Sequence, residues 1–133
     1  MLEHEQWLAI AQEDLKAAKV LLRNELFSTA TYHCHQAAEK ALKWYLIFNK
    51  QEIIKSHDLI KLGTLCSQFD KSFKKFSDIL ERLNPFATKF RYPSEFDPPD
   101  KDKTKLMIRQ AKSIVSFVTK KIATPISEQM EIR

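Results

Sequence analysis

The sequence predicts an all-α protein, an antiparallel up-and-down bundle of four main helices plus one short extra helix. Three observations predict it. Apolar residues recur at spacings of three and four along most of the chain, the period of one helix face. A single glycine, Gly63, stands in 133 residues, and no stretch alternates apolar and polar as a half-buried strand does. Four of the five prolines fall between Pro85 and Pro99, so they punctuate one connection and leave the rest of the chain free for helix.

The first helix is expected from Glu3 to Arg23, where Trp7, Leu8, Ala11, Leu15, Ala18 and Leu22 make one apolar stripe. "RNELFS" reads as a turn. The second helix is expected from Ser28 to Asn49, with Ser28 as a candidate N-cap and with Ala30, Cys34, Ala37, Ala41, Trp44, Tyr45 and Phe48 on the core side. "KSHDL" opens a third helix: Ser56 is the expected N-cap, and Asp58 falls in the first turn, where the helix dipole favours a negative charge. A fourth helix is expected from Lys71 to Leu83, placing Phe73, Phe76, Leu80 and Leu83 on one side. "NPFATKFRYPSEFDPPD" is too rich in proline to be helical and is expected to be irregular between Pro85 and Pro99. The last helix runs from Lys101 to Ala123 over Met107, Ala111, Ile114, Val115, Val118 and Ile122. Short links make sequential helices antiparallel neighbours. The domain is expected to cover residues 1–123, with "TPISEQMEIR" (124–133) as a loose tail.

A chain of this length supports one hydrophobic core. No apolar run approaches the roughly 20 residues of a membrane span. The acidic start, "MLEHEQWLAI", is unlike a secretory signal, and two cysteines are too few for a disulfide framework, so a cytoplasmic protein with reduced thiols is expected. A net charge of +5 permits contact with nucleotide or RNA without demanding it.

"YHCHQAAEK", from Tyr32 to Lys40, sets His33, Cys34 and His35 side by side. On a helix turning about 100° per residue, His33 and His35 diverge by about 160°, and Cys34 takes a third direction. Three such residues do not converge on one tetrahedral ion, so no metal site is expected. Cys34 reads as a small core residue. His35, Glu39 and Lys43 read as a solvated face, with Glu39 placed to pair with Lys43. His33, Gln36 and Lys40 form a polar ridge along the edge of the apolar stripe. Asp14 occupies the matching border of the first helix, where a carboxylate requires a cationic partner: Lys40, His33 or Arg91. These groups either satisfy one another and fix helix register, or they form a ligand site.

Four stretches in order resemble the HEPN domain family: "EDLKAAKVLL" on the first helix, "YHCHQAAEKALKWYL" on the second, "KSHDLIKL" at the third and "FRYP" before the last. Their order and spacing hold from about Trp7 to Val118. The resemblance implies an up-and-down bundle that forms homodimers. It also implies a nucleotide- or substrate-binding partner of a small nucleotidyltransferase in a toxin–antitoxin-like pair. By position, Asp14, His33, Gln36, Lys40, Lys43, His57, Asp58, Arg91 and Tyr92 match the family's recurrent polar positions. On this reading Lys40, Lys43 and Arg91 meet phosphates. Tyr92 either stacks on a base or sugar, or forms with Pro93 a rigid turn under the bundle. One branch of the family cleaves RNA without metal, using an Arg followed after four to six residues by a His. This sequence departs from that pattern, because Arg91 is followed by "YPSEFDPP" and no histidine has an arginine at that distance upstream. A non-catalytic module with no cofactor is therefore expected. The alternatives are a divergent ribonuclease, assembled across a dimer from His33 or His57 with Arg91, and a purely structural helical oligomer.

Overall fold

A computed structural model describes residues 3–87 and 99–123. α1 spans Glu3–Arg23 and α5 spans Lys101–Ala123, the limits that the apolar stripes predict. α2 covers Phe27–Phe48 and α3 covers Leu59–Phe69. The expected fourth helix divides: Lys71–Phe76 is a 3₁₀ helix, and α4 follows as Ser77–Leu83. A second 3₁₀ turn, Asn84–Ala87, contains Pro85 and Phe86. The rest of the proline-rich connection up to Pro98, with Arg91 and Tyr92, lies outside the described residues, as does the tail.

Two expected caps are corrected. Ser28 lies inside α2, and the residue before that helix is Leu26, which makes no side-chain cap. α3 begins after Asp58, whose carboxylate accepts from the backbone N–H groups of Ile60 (3.0 Å) and Lys61 (3.3 Å). A carboxylate caps better here than the Ser56 hydroxyl, because it brings charge to the positive end of the helix. Ser56 instead accepts from the Asp58 N–H at 3.1 Å. Asn84 ties the start of α3 to the end of α4, since its Oδ1 accepts from the Leu59 N–H at 2.9 Å. α5 is capped by Asp100, whose Oδ1 accepts from the Lys103 N–H at 2.7 Å.

α1 and α2 end alike. The Leu26 N–H reaches back to the Leu21 carbonyl and the Glu25 N–H to that of Leu22; Gln51 and Lys50 repeat the pattern to Leu46 and Ile47. This double bond closes a helix when the residue past its end is left-handed. Glu25 (φ 60°) and Lys50 (φ 62°) are left-handed, although neither is glycine. Gly63 is on α3, where a Cβ would run into the Leu80 side chain of α4.

α2 is the central helix, in contact with α1, α3, α4, α5 and the Asn84–Ala87 turn. Its Cys34, Ala37, Ala38, Ala41 and Leu42 are fully buried and form one core with Ala11, Ala18, Leu59, Leu62, Met107, Ala111 and Ile114. Small residues let the helices approach, and Phe73, Phe76, Phe117 and Tyr45 fill the far end. There Phe117 stands edge-on to Phe73 (5.0 Å) and Phe76 (5.1 Å), the favoured geometry for aromatic pairs. Among the described residues, no helix is long and apolar enough to cross a membrane.

Candidate functional site

The seam between α1 and α2 follows from the register of two antiparallel helices. Lys40 places its ammonium 5.5 Å from the centre of the Trp7 ring, and seven residues along each chain His33 meets Asp14. A step of seven is two helical turns, so the polar ridge of α2 stays on the border of α1 along this length. His33 Nδ1 lies 2.8 Å from Asp14 Oδ1, with both side chains largely covered. Of the two candidate partners among the described residues, His33 makes the bond to Asp14, and Lys40 adds its charge from nearby; Arg91, the third candidate, lies outside them. Burial raises the Asp14 carboxyl above its ordinary range, and the His33 bond and Lys40 only partly offset this. With Nδ1 on the carboxylate, His33 presents Nε2 as its remaining polar atom. His33 also walls a shallow hollow of about 490 Å³, together with Glu13, Lys16, Ala17, Val20, Leu21 and Thr29.

The expected solvated face of α2 is inside the protein. His35 and Glu39 are 0% exposed and Lys43 is 6% exposed. The reason is the central position of α2: α3 and the loop before it cover the side opposite α1. Glu39 is the hub. Its Oε2 accepts from the Lys43 ammonium at 3.0 Å and lies 3.7 Å from that of Lys40. Its Oε1 lies 2.9 Å from His57 Nδ1. Burial is the largest single influence on Glu39 and opposes its charge, but the His57 and Lys43 bonds and the Lys43 and Lys40 charges together outweigh it. The carboxyl is held below its ordinary range.

His35 is bound from the loop. Its Nε2–H donates to the His57 carbonyl at 3.0 Å, and its Nδ1 lies 3.3 Å from the Gln36 amide. Burial pushes the ring below its ordinary value of 6.5, so it is neutral at physiological pH.

The candidates therefore fall into two groups. Asp14 and His33 sit on the seam, with Lys40 between them and Glu39; Gln36 is turned toward His35. Lys43 is committed to Glu39 in the interior. His57 is 69% exposed and covers Glu39 from outside, while Asp58 caps α3. His35 and Glu39, which the sequence reading left in solvent, organise the second group.

His33, Cys34 and His35 diverge as helix geometry requires: toward α1, into the core, and toward the α2–α3 loop. Burial pushes the Cys34 thiol up to about 12, so it is neither a nucleophile nor a ligand at neutral pH. Among the described residues, no three His, Cys, Asp or Glu gather closely enough to hold a metal ion.

Known proteins share this architecture. Over 39 residues the chain is 49% identical to a Methanocaldococcus jannaschii protein named "Putative toxin MJ1304". That stretch is 29% of this chain, and it spans about a quarter (26%) of the relative's length. The crystal structure of TT1696 from Thermus thermophilus superposes with a TM-score of 0.80 at 20% identity, covering 91% of this chain and 99% of that one. The crystal structure of ST0689, described as an archaeal HEPN homologue, gives 0.73 at 23% identity over 92% and 99%. At these identities the likeness is one of fold. The model of the HEPN domain matches residues 4–122, and with nearly the whole chain matched, this protein belongs to the HEPN domain family.

Proposed function

We propose that this HEPN protein is a non-catalytic binding module that holds a nucleotide or nucleotide-like substrate for a small nucleotidyltransferase, in a toxin–antitoxin-like pair. The observation that carries this reading is the Asp14–His33–Lys40 seam beside its hollow. Asp14 is kept partly buried, although burial opposes its charge, and a carboxylate retained at a cost to the fold is a common mark of a functional position. Lys40, with its ammonium over the Trp7 ring and its side chain partly exposed, is the cation placed to meet a phosphate. Arg91 and Tyr92 complete the proposed ligand set from the connection before α5. Lys43 and His57 act by holding Glu39, and Gln36 by orienting His35. Family membership and the toxin name of the short-stretch relative support the pairing. The working unit is a cytoplasmic homodimer of one domain, residues 1–123, followed by a tail at 124–133.

Isothermal titration with ATP and GTP tests the reading. Micromolar binding that His33→Ala and Lys40→Ala weaken supports it; absence of heat with both nucleotides overturns it. Co-expression with a nucleotidyltransferase encoded beside this chain tests the partner, and light scattering tests the dimer.

A second reading, RNA cleavage, is favoured by one observation. The Asp14–His33 pair has the carboxylate–imidazole arrangement that orients a general base. Cleavage of labelled RNA that is lost in His33→Ala and Arg91→Ala would establish it in place of the first.

A further inference from the structure

α5 carries seven basic residues and one acidic residue, Asp102, so this single helix exceeds the net charge of the whole chain, +5. On α1 the last acidic residue is Asp14, and Lys16, Lys19 and Arg23 follow. The two basic stretches meet. Between α1 and α5 lies a groove of about 700 Å³, whose lining does not include His33. Its floor includes the buried Leu15 and Val115, and its walls carry Lys16, Lys19 and Arg23 from one helix and Lys112 and Lys120 from the other. Among the described residues no carboxylate lines it, and the rest of the lining is Gln12, Ser116 and Thr119. Lys121 is not among them, because it binds Asp70 at 2.7 Å.

Helical spacing explains why the cations share one groove. Gln12, Lys16, Lys19 and Arg23 are separated by four, three and four residues, and Lys112, Ser116 and Thr119 by four and three, so each set lines one helix face. Like charges in a cleft with an apolar floor reinforce one another's potential, because the low-dielectric wall focuses the field. Such an arrangement opposes folding unless an anion shares it.

We propose that the α1–α5 groove binds an extended chain of phosphates. The cations are spread along the groove and do not converge: at about 1.5 Å per residue, Lys16 to Arg23 covers about 10 Å of α1 and Lys112 to Lys120 about 12 Å of α5. A single phosphate would use one or two of them; a row of phosphates uses all. Among the described residues the lining holds no aromatic ring to stack on a base and no carboxylate to grip a ribose, so the groove reads charge and spacing but not sequence. Two sources offer this chemistry, the backbone of single-stranded RNA and inorganic polyphosphate. Of its cations only Lys16 also borders the hollow beside His33, so nucleotide binding at the seam can fail while this site stands.

The test uses fluorescence anisotropy with a labelled single-stranded oligouridylate, and inorganic polyphosphate and ATP as competitors. Four cations in contact with phosphates give a log–log salt slope of about −3, or about a 50-fold loss of affinity between 50 and 200 mM salt. Lys19→Ala, Arg23→Ala and Lys112→Ala each reduce that slope by about 0.7, while Lys61→Ala, on exposed α3 surface, leaves it unchanged. All four are exposed, and circular dichroism verifies that each variant folds. Competition by polyphosphate but not ATP is expected. Groove-dependent binding of polyphosphate, with none of oligouridylate, would assign the site to polyphosphate alone. Absence of binding to either, a slope insensitive to the groove variants, or ATP competing as strongly as polyphosphate would overturn the proposal.

Discussion

Glu39→Ala is the substitution that should damage this fold most. The carboxylate is fully buried, and it neutralises Lys43, whose side chain is 7% exposed. Removing it leaves an ammonium inside the protein without its counter-charge and leaves the His57 ring without its acceptor. Stranding one member of a buried ion pair costs about 3–5 kcal/mol. Against a typical total stability of about 5–15 kcal/mol, that is a large share, and for a chain of this size it lowers Tm by about 10–20 °C. The reverse change, Lys43→Ala, should cost less, because Glu39 keeps His57 at 2.9 Å and Lys40 at 3.7 Å. His57→Ala should cost about 1 kcal/mol or less, since its ring is mostly in water. Urea unfolding followed by circular dichroism ranks the three. The double change Glu39→Leu with Lys43→Met removes both charges and should recover most of the loss. If Glu39→Ala stays within about 1 kcal/mol of the parent, or Lys43→Ala proves the worse, the buried-hub account is refuted.

Asp14→Asn should leave stability at pH 7 unchanged or slightly higher, because burial already disfavours the Asp14 charge and an amide oxygen can still accept from His33; a loss above about 2 kcal/mol in urea would contradict this. Stability should fall on acidification in two stages, read from urea midpoints across pH. The His35 contribution is present above the ring's ordinary value of 6.5 and is lost as pH falls below it, because the unfolded ring takes a proton that the buried ring refuses. The Glu39 contribution is present above the ordinary 4.5 and is lost at lower pH, as its depressed folded value is crossed. Asp14 works in the opposite sense: its raised value relieves a cost as pH falls, so Asp14→Asn should steepen the acid decline. Glu25→Gly and Lys50→Gly should each stabilise by about 0.5–1 kcal/mol, visible as raised melting temperatures, since both sites are left-handed and lack the residue best suited to that conformation.

Much of the fold was legible. α1 and α5 have one buried stripe each, so the spacing of Leu15 and Ala18, or of Ile114 and Val118, defines both the element and its inner face. α2 misled because it has more than one inner face. His35, Glu39 and Lys43 recur like a water-facing row, yet Ala38, Leu42 and Leu46 run beside them at the same spacing. An apolar row directly beside a charged one was the available sign that the charged row was enclosed. Asp14 with His33 was within reach because both sit on stripe borders. The choice of His33 over Lys40 was not, since it depends on which residues the antiparallel register sets opposite. The α1–α5 groove was invisible to a reading along the chain: its cations come from segments about a hundred residues apart, each unremarkable alone.

The loop before α3 is fastened to α2 by one residue through two different parts of itself. The His57 carbonyl accepts from His35, and the His57 ring covers Glu39. The peptide cannot lift without the ring, so the first fraying of this loop also admits water to a sealed carboxylate. Loop opening and hydration of the ionic centre are thus one cooperative event, and its free energy is set by solvation in the interior more than by the loop's own contacts. An apparently superficial segment therefore serves as the gasket of the bundle. Slow amide exchange beneath it, in the middle of α2, would measure how tightly it closes.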